Sequence, residues 1–508
     1  MKTRRNAVST AAVAGIIVLV IAVAALAYIL LPTAPAPAST TTASSTTTTT
    51  SSTTTTKSST TTQTTAAPSN TLTVVSISGF TQPGIKGIAQ DYMSSHSGVT
   101  INVVDFPFGS VKGQQLTCLK GTNCPYDILN WTPSMLGDLA PYMVNITSLV
   151  KQSGFDLKKM VPSSQNFNGY NSFFNSTAKK VQTDLVGLAV ATDVELVYYR
   201  TDLFQKYNIP APTPNWTWDD FNNAAKILCQ GSSDVTAQST NCPHGYPTVI
   251  DLDTSHDLWN TYINYMAYFY NLDIGIKNTT KYPHYGPQVP GYGNLFARDV
   301  TPSFDPAIGT AGLQAAQTLQ QSLRYSSDDP FGMTFGKLAS YFGTGQYGLE
   351  IGWTTFYKSW ADPAKSQIAG KFAIAPLPGN TGQPGGSGMG ISKQTNNPKL
   401  AWDFLQFVAS DSEQPKMFTL SSLFPGTAPG FNNLIASDPT LSWVQGVSSA
   451  AQKADANPST IANTWLLIPT FNNSLQPYLL NGSSQELSNA LSSAAKSWVQ
   501  LLSTAATR

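Results

Sequence analysis

The chain has 508 residues, of which 41% are hydrophobic, 11% are aromatic and only 11% are charged, and its formal net charge is +1. An average soluble protein carries about 25% charged residues, so this composition excludes a polyelectrolyte and a charge-driven disordered chain. The chain has no long basic stretch for binding nucleic acid, and its length exceeds what one core usually organises, which predicts two or more lobes.

The N-terminal segment is basic and then strongly apolar. Residues 1–10 contain three bases, and residues 11–31 follow as 21 residues without a charge. Such a run is long enough to span a bilayer, and the preceding bases favour an N-terminus in the cytoplasm. We therefore expect a membrane anchor. A cleaved secretory signal is the alternative, although its apolar core normally has only about 7–15 residues.

Residues 32–70 predict an extracellular stalk. From 39 to 65, 24 of 27 residues are Ser or Thr, and such a tract has no apolar groups with which to fold. Seven N-x-[ST] motifs agree with a location outside the cell, at Asn130, Asn145, Asn175, Asn215, Asn278, Asn472 and Asn481. These features predict a membrane-anchored glycoprotein whose folded part is extracellular.

The four cysteines form two local pairs. Three pairings are open, and we favour Cys118 with Cys124 and Cys229 with Cys242, because each closes a short loop that contains Asn, Gly or Pro. No C-x-x-C motif occurs and the four histidines are scattered, so the spacing does not favour a zinc site.

Strand-like and helix-like segments alternate from residue 71, which predicts an α/β fold. The strands are expected at 72–77, 99–104, 126–131, 186–191 and 195–200, with a helix over 84–95. Thr217 and Asp220 form a capping box at the start of a second helix, and Asn397 with Pro398 begins a third.

The G-x-G-x-x-G motif at 343–348 does not indicate a dinucleotide site. A dinucleotide site needs this motif after a strand and before a helix, whereas here 335–342 is helix-like and 346–353 is strand-like. The glycines are better explained by a helix end and a turn. No phosphate loop, G-x-S-x-G or H-E-x-x-H motif occurs, so we expect no cofactor and no enzyme, although spacing alone leaves the paired carboxylates of a glycosidase open.

Four segments in chain order, 185–228, 336–356, 372–392 and 396–418, resemble the family 1 extracellular solute-binding proteins, which are maltose-binding-protein-like receptors. The first segment has a tyrosine-rich strand followed by D-L-F and T-W-D, and the second ends in a G-W loop. The third has a P-L-P-G strand with a glycine turn, and the fourth contains N-P-K-L-A-W-D-F-L-Q-F. The anchor and stalk are similar to those of sugar receptors from thermoacidophilic archaea.

The resemblance implies a two-lobe, periplasmic-binding-protein-like fold of type II with a ligand cleft. It implies a first lobe at 71–190 with 358–418, and a second at 191–357 with 419–508. The implied function is to capture a mono- or oligosaccharide and deliver it to the permease of an ABC transporter that has a separate ATPase. A receptor for a peptide or another solute, and a surface glycosidase or transglycosidase, are the alternatives.

A sugar site needs aromatic plates for the C–H face and short polar groups for the hydroxyl rim. The expected aromatic contacts are Trp353, which follows a strand through a G-W loop, and Trp131, Trp259 and Trp465. By the same resemblance, Asp193 accepts sugar hydroxyls. Gly386 and Gly388 let the backbone approach the ligand.

Two sequence features bear on this expected site. Asn130 heads a glycosylation motif beside Trp131, and a glycan there would obstruct the cleft. Residues 272–310, rich in Tyr, Pro and Gly, have no clear counterpart in the family and are expected to close one end of the cleft.

The low charge content also predicts tolerance of acid. A chain with few bases acquires little positive self-repulsion when its carboxylates become protonated. We therefore expect the extracellular part to stay folded at low pH.

Overall fold

The computed structural model describes residues 70–175, 180–231, 240–253, 257–275, 302–380, 382–454 and 464–505. The predicted anchor at 11–31, the stalk up to residue 69 and most of 272–310 lie outside these ranges. Within them, no helix is both long enough and apolar enough to cross a membrane. The chain divides into two units, Met1–Ala66 and Ala67–Arg508, and the fold given below is that of the second.

Twelve strands are present in the described ranges. They are β1 Thr71–Ile77, β2 Thr100–Phe106, β3 Ile128–Trp131, β4 Tyr170–Asn175, β5 Lys180–Leu185, β6 Leu188–Thr192, β7 Glu195–Arg200, β8 Thr248–Val249, β9 Leu349–Trp353, β10 Phe372–Ala375, β11 Ser387–Ile391 and β12 Phe424–Pro425. The five predicted strands are confirmed, with ends that differ by up to two residues.

The α-helices of the same ranges lie between these strands and after them. They are α1 Gln82–Ser95, α2 Phe108–Leu119, α3 Pro133–Leu139, α4 Thr147–Ser153, α5 Pro162–Asn168, α6 Thr201–Lys206, α7 Trp218–Gln230, α8 Asp257–Gly275, α9 Ala311–Leu323, α10 Phe335–Tyr341, α11 Tyr357–Ala361, α12 Pro398–Val408, α13 Pro415–Ser421, α14 Ala428–Ser437, α15 Val444–Ala451, α16 Thr464–Leu479 and α17 Ser484–Ala505.

The larger sheet has six strands in the order β12-β6-β11-β3-β1-β2. β1 runs parallel to β2 and β3, whereas β11 runs antiparallel to both β3 and β6. In α/β folds, a sheet that is covered on both faces has buried central strands. β3 and β6 are buried at every residue.

The smaller mixed sheet has the order β10-β7-β9-β8. β7 runs antiparallel to β10 and β9, and β8 runs parallel to β9. Its core is rich in aromatic rings, with Trp218 stacked on Tyr265 at 3.6 Å between ring centroids. α16 and α17 pack into the same core. The molecule thus has two α/β lobes, each with its own sheet and apolar core.

The chain crosses between the sheets at two described places. β6 of the larger sheet leads into β7 of the smaller through Asp193 and Val194, and β10 of the smaller leads back to β11 of the larger through 376–386. The strand pairing therefore puts 372–375 with the second lobe and 424–425 with the first, whereas the expected boundaries lie at 358 and 419. The reason is that β10 completes the edge of β7 and β12 completes the edge of β6.

The predicted helix signals have their expected roles. Thr217 and Asp220 exchange hydrogen bonds as a full capping box, and α12 begins at Pro398 directly after Asn397. The glycine motif lies between α10 and β9, where Gly345 has a φ of 79°. That left-handed backbone ends the helical segment, so the motif is a turn between a helix and a strand.

The predicted disulfide pairing is confirmed. Cys118 is bonded to Cys124, and Cys229 to Cys242. The first loop is also held by Gln394, whose side chain accepts from the Cys124 amide at 2.9 Å and donates to the carbonyls of Leu119 and Gly121. This loop is therefore fixed to the end of the larger sheet.

The glycosylation motif at Asn130 lies in the centre of the larger sheet. The Asn130 side chain is fully buried, donates to the Ser387 hydroxyl at 2.7 Å and to the Gly388 carbonyl at 2.9 Å, and accepts from the Thr81 hydroxyl at 2.7 Å. The folded chain has no room for a glycan there. The motif residues Asn145, Asn215 and Asn481 are exposed.

We expect Asn130→Ala to lower the free energy of unfolding by about 2–4 kcal/mol, because it leaves buried partners unsatisfied. The control is Asn215→Ala, which removes an exposed motif and should change stability by less than about 0.5 kcal/mol. Urea unfolding measures both, and mass spectrometry should find residue 130 unmodified. A glycan at residue 130 in the folded protein would contradict this account.

Candidate ligand site at the crossing between the lobes

The two crossing segments lie side by side. The Gly385 amide donates to the Asp193 carbonyl at 2.8 Å, and the Glu195 amide donates to the Gln383 carbonyl at 3.3 Å. Val194 and Pro384 form an antiparallel bridge between these bonds. The crossings therefore make a short two-stranded ribbon where the lobes meet, and a cleft between the lobes has this ribbon at its base.

Trp353 lies directly beside this ribbon. It ends β9, and its carbonyl accepts from the Tyr198 hydroxyl at 3.2 Å. The six-membered part of its indole covers Gly385, where an added Cβ would lie 2.5 Å from Cζ3. Among the predicted aromatic contacts whose side chains the structure describes, only Trp353 is partly exposed.

Asp193 fixes the turn that follows this tryptophan. Its Oδ1 accepts from the Thr354 hydroxyl at 2.5 Å and from the Thr355 amide at 3.1 Å, and the carboxyl is buried. The Thr354 amide in turn donates to the Val194 carbonyl at 3.0 Å. Asp193 thereby couples the position of Trp353 to the crossing.

Trp131 ends β3 but is fully buried. Its indole lies over three glycines, at each of which an added Cβ would come within 2.8 Å of the ring: Gly187, Gly388 and Gly390. Its Nε1 donates to the Asn168 carbonyl at 3.2 Å. In this structure the missing side chain of Gly388 makes room for the tryptophan.

The remaining predicted residues lie in different surroundings. Trp259 is fully buried in α8, with its ring centroid 4.8 Å from that of Phe471 and 4.7 Å from that of Trp498 in the core of the second lobe. Gly386 has a φ of 78°, and an added Cβ there would lie 2.2 Å from the Ala191 carbonyl oxygen. Trp465 belongs to the first turn of α16, and its side chain lies outside the described residues.

Sequence reasoning missed a set of buried amides around the ribbon. The Asn168 Nδ2 donates to the Gly385 carbonyl at 3.0 Å, and Gln383 is held to α8 through Asn260 and Asn264. The Asn264 side chain also donates to the Glu195 carboxyl. Asn168 and Asn264 lie inside helices, and no sequence motif surrounds them. Only Gln383 lies beside a recognisable sequence feature, the P-G-G turn.

Four carboxyls are buried in the crossing and in the smaller sheet beside it: Asp193 lies in the crossing, Glu195 begins β7, Glu350 lies in β9 and Asp251 follows β8. Burial raises the pKa of Asp193 to about 7 and that of Glu195 to about 8, although hydrogen bonds from Thr354 and Asn264 act in the opposite direction. Burial also raises the pKa values of Glu350 and Asp251 well above their usual range. The Asp251 carboxyl raises the pKa of Glu350 further, and the carboxyls of Asp257 and Glu195 raise that of Asp251. The groups that act on these carboxyls are neutral donors and other carboxyls, so their neutral forms are favoured.

The carboxyls do not form a metal site. Among the described residues, no group of three or more His, Cys, Asp or Glu side chains has the arrangement needed to hold a metal ion. The chemistry available at the ribbon is that of an aromatic ring, amide groups and carboxyls whose pKa values are raised by burial.

Two α/β lobes connected by paired crossings, with a partly exposed aromatic ring at the base, define the two-lobe class of binding proteins. A model of the family described as bacterial extracellular solute-binding proteins matches residues 87–441. The chain therefore belongs to that family.

Individual relatives agree with this assignment. A probable ABC transporter-binding protein of Deinococcus radiodurans is 23% identical over 301 residues, which make up 57% of this chain and 63% of that relative. The chain thus spans less than two thirds of the length of that relative.

Solved structures share the fold. The maltose-bound MalE3 of T. maritima has a TM-score of 0.62 and 16% identity, and the match covers 85% of this chain and 99% of that one. The sugar-binding protein MalE of Xanthomonas citri has a TM-score of 0.63 and 14% identity, with 85% and 98% covered. A solute-binding protein of Agrobacterium radiobacter in complex with ribitol has a TM-score of 0.61 and 18% identity, with 86% and 100% covered.

The buried carboxyls predict that the fold is more stable in acid. A carboxyl whose pKa is higher in the folded state than in the unfolded state binds its proton more tightly when the chain is folded. The free energy of unfolding therefore falls as pH rises from the unfolded-state pKa, near 4, to the folded-state pKa values, about 7 and 8. We expect the free energy of unfolding at pH 5 to exceed that at pH 8 by on the order of 2–4 kcal/mol.

Glu350→Gln tests the source of this dependence. The substitution keeps the shape of the side chain and removes the charge, so it should flatten the pH profile and raise stability at pH 8. Asp219→Asn, at an exposed position, is the control and should leave the profile unchanged. Chemical unfolding between pH 4 and pH 8 measures all three proteins, and a wild-type profile that rises with pH would refute the assignment.

Proposed function

We propose that this chain is an extracellular receptor that captures a neutral mono- or oligosaccharide, or a polyol, in the cleft between its lobes. The observation that carries the proposal is the placement of Trp353. Its indole is partly exposed, covers Gly385 of the crossing ribbon and is fixed through Thr354 to Asp193. An aromatic ring at the base of a cleft is the group that stacks on the C–H face of a sugar.

The surroundings of this ring suit a ligand with many hydroxyls. Buried amides of Asn168, Asn264 and Gln383 lie at the ribbon, and no lysine or arginine of the described ranges is bonded to them. Uncharged hydrogen-bonding groups beside an aromatic ring match a ligand that is itself uncharged. The solved relatives with maltose and ribitol support the same ligand class.

Delivery to an ABC transporter follows as part of the proposal. The Deinococcus relative is named a probable ABC transporter-binding protein. We infer that the binding domain presents its ligand to permease subunits served by a separate ATPase. In this proposal the apolar segment 11–31 anchors the chain, the Ser/Thr-rich stalk gives the domain reach, and glycans occupy exposed motifs such as Asn215.

A glycosidase remains the main alternative function. The carboxyls nearest the ribbon are Asp193 and Glu195, and both are bonded to protein groups, the first to Thr354 and Thr355 and the second to Asn264. A general acid or nucleophile must instead face the scissile bond. These contacts favour binding without chemical conversion.

The tryptophan assignment is tested by Trp353→Ala, measured by calorimetry with maltose, glucose and ribitol as probes. Losing a stacking ring at a binding hot spot should weaken affinity by about 2–4 kcal/mol. The control is Trp218→Ala. Trp218 is buried against Tyr265, so its loss should cost about 3–5 kcal/mol of folding stability without changing affinity in the fraction that remains folded.

Two outcomes would count against the proposal. Equal losses of affinity in the two folded variants would remove Trp353 from the site. If the wild-type protein binds no sugar and no polyol but clearly binds a peptide, the chain is a receptor for another solute.

The distinction from an enzyme needs a separate measurement. We expect maltose and longer maltodextrins to remain unchanged after prolonged incubation with the protein at pH 5 and at pH 7. Chromatography of the sugars, with heat-denatured protein as the control, detects any cleavage or transfer. Shorter or longer products would show that the chain is a glycosidase or transglycosidase.

A further inference from the structure

Among the described residues, the hydrogen bonds around the crossing ribbon leave two buried amide oxygens without a partner. They are Oδ1 of Asn168 and Oε1 of Gln383, and both side chains are at least 97% buried. A buried polar atom without a hydrogen bond is costly, so such atoms in a folded protein need an explanation. Asn168 is bonded to this ribbon at Gly385, and Gln383 belongs to it.

The orientation of the Asn168 amide is fixed by its neighbour. Its nitrogen lies 3.0 Å from the Gly385 carbonyl, which can only accept a hydrogen bond. Turning the amide over would place two oxygens against each other. The atom left without a partner is therefore an acceptor.

The orientation of the Gln383 amide follows from a chain of bonds. The Asn260 Nδ2 donates to an Asp257 carboxyl oxygen at 3.1 Å, which leaves the Asn260 Oδ1 to accept from the Gln383 Nε2 at 2.7 Å. The backbone N–H of Gln383 donates separately, to the Asn264 Oδ1 at 2.9 Å. The unpartnered atom of Gln383 is therefore also an acceptor.

The two acceptors belong to the same part of the crossing ribbon. Asn168 is bonded to Gly385, and Gln383 is two residues away on the chain, which spans at most about 7 Å in an extended segment. Trp353 covers the same Gly385. Asn168 belongs to α5 of the first lobe, whereas Gln383 is held by α8 of the second, so each lobe contributes one acceptor.

We infer that Asn168 and Gln383 are specificity-determining residues that accept hydrogen bonds from hydroxyl groups of the ligand and exclude its anionic counterparts. The inference rests on the proposed function and names the chemistry that the site selects. Two acceptors without a hydrogen bond from the described residues match the O–H groups of a neutral sugar or polyol. A carboxylate brings only acceptors, so a uronic or aldonic acid that places its carboxylate at these two atoms leaves their oxygens unpaired.

The first test uses the wild-type protein and pairs of ligands that differ by one oxidation: glucose with glucuronate, and mannitol with mannonate. Calorimetry at pH 5 is chosen because sugar acids, with pKa values near 3–4, are ionised there, whereas Asp193 and Glu195 have pKa values of about 7 and 8 and are neutral. Repulsion by these two carboxyls is thus reduced. We expect the neutral member of a bound pair to be preferred by tenfold or more.

The second test assigns the selectivity to the two amides. Asn168→Leu and Gln383→Met remove one acceptor each at similar side-chain volume, and each should weaken binding of the neutral ligand about tenfold while reducing its preference over the acid. The matched control is Gln165→Met, because Gln165 is buried in α5 with its amide bonded to the Gly187 carbonyl and the Ala189 amide. The control should lose stability and keep the wild-type preference.

The outcomes separate this inference from the proposed function. Sugar binding with wild-type preference in both Asn168→Leu and Gln383→Met would overturn the inference alone, as would a wild-type protein that binds the acid more tightly. Absence of binding to every neutral ligand and every acid would overturn both. Because the comparison of wild-type affinities needs no variant, the inference can fail even where a substitution prevents folding.

Discussion

The pairing of the two crossing segments is the constraint on which the rest of the site depends. The hydrogen bonds between Gly385 and Asp193 and between Gln383 and Glu195 hold two antiparallel segments of the chain together between the sheets. Because each segment continues into a strand of both lobes, the ribbon fixes where the lobes can meet. Hinge motions between two lobes are generally absorbed by a few residues at such connections.

The glycines of 385–390 allow this packing at several points. Gly385 admits the indole of Trp353 on one side of the ribbon, and Gly388 admits that of Trp131 in the larger sheet. One tryptophan is thereby left partly exposed at the base of the cleft, while the other becomes part of a lobe's core. Two residues with similar sequence contexts, each at the end of a strand, thus have different surroundings.

The buried carboxyls make the stability of the fold depend on pH. Asp193, Glu195 and Glu350 are buried, and no lysine or arginine among the described residues forms an ion pair with them. Their raised pKa values favour the neutral forms, so the fold is expected to gain stability as pH falls. The low charge content predicts acid tolerance for a different reason, because few positive charges repel one another at low pH. The two effects act in the same direction.

The sequence by itself determined the features that depend on neighbouring residues: the strands from hydrophobic alternation, the capping box at Thr217, the turn at Gly345, and the short-loop disulfides. Its resemblance to a family also determined the two-lobe class, because the four matching segments span most of the folded part. Tertiary structure decided which strands form each sheet edge, since β10 and β12 pair with partners far away in the chain. It also decided which polar atoms lack partners, because hydrogen bonds such as those of Asn168 to Gly385 and Gln383 to Asn260 join residues more than 100 positions apart and leave no periodic signal.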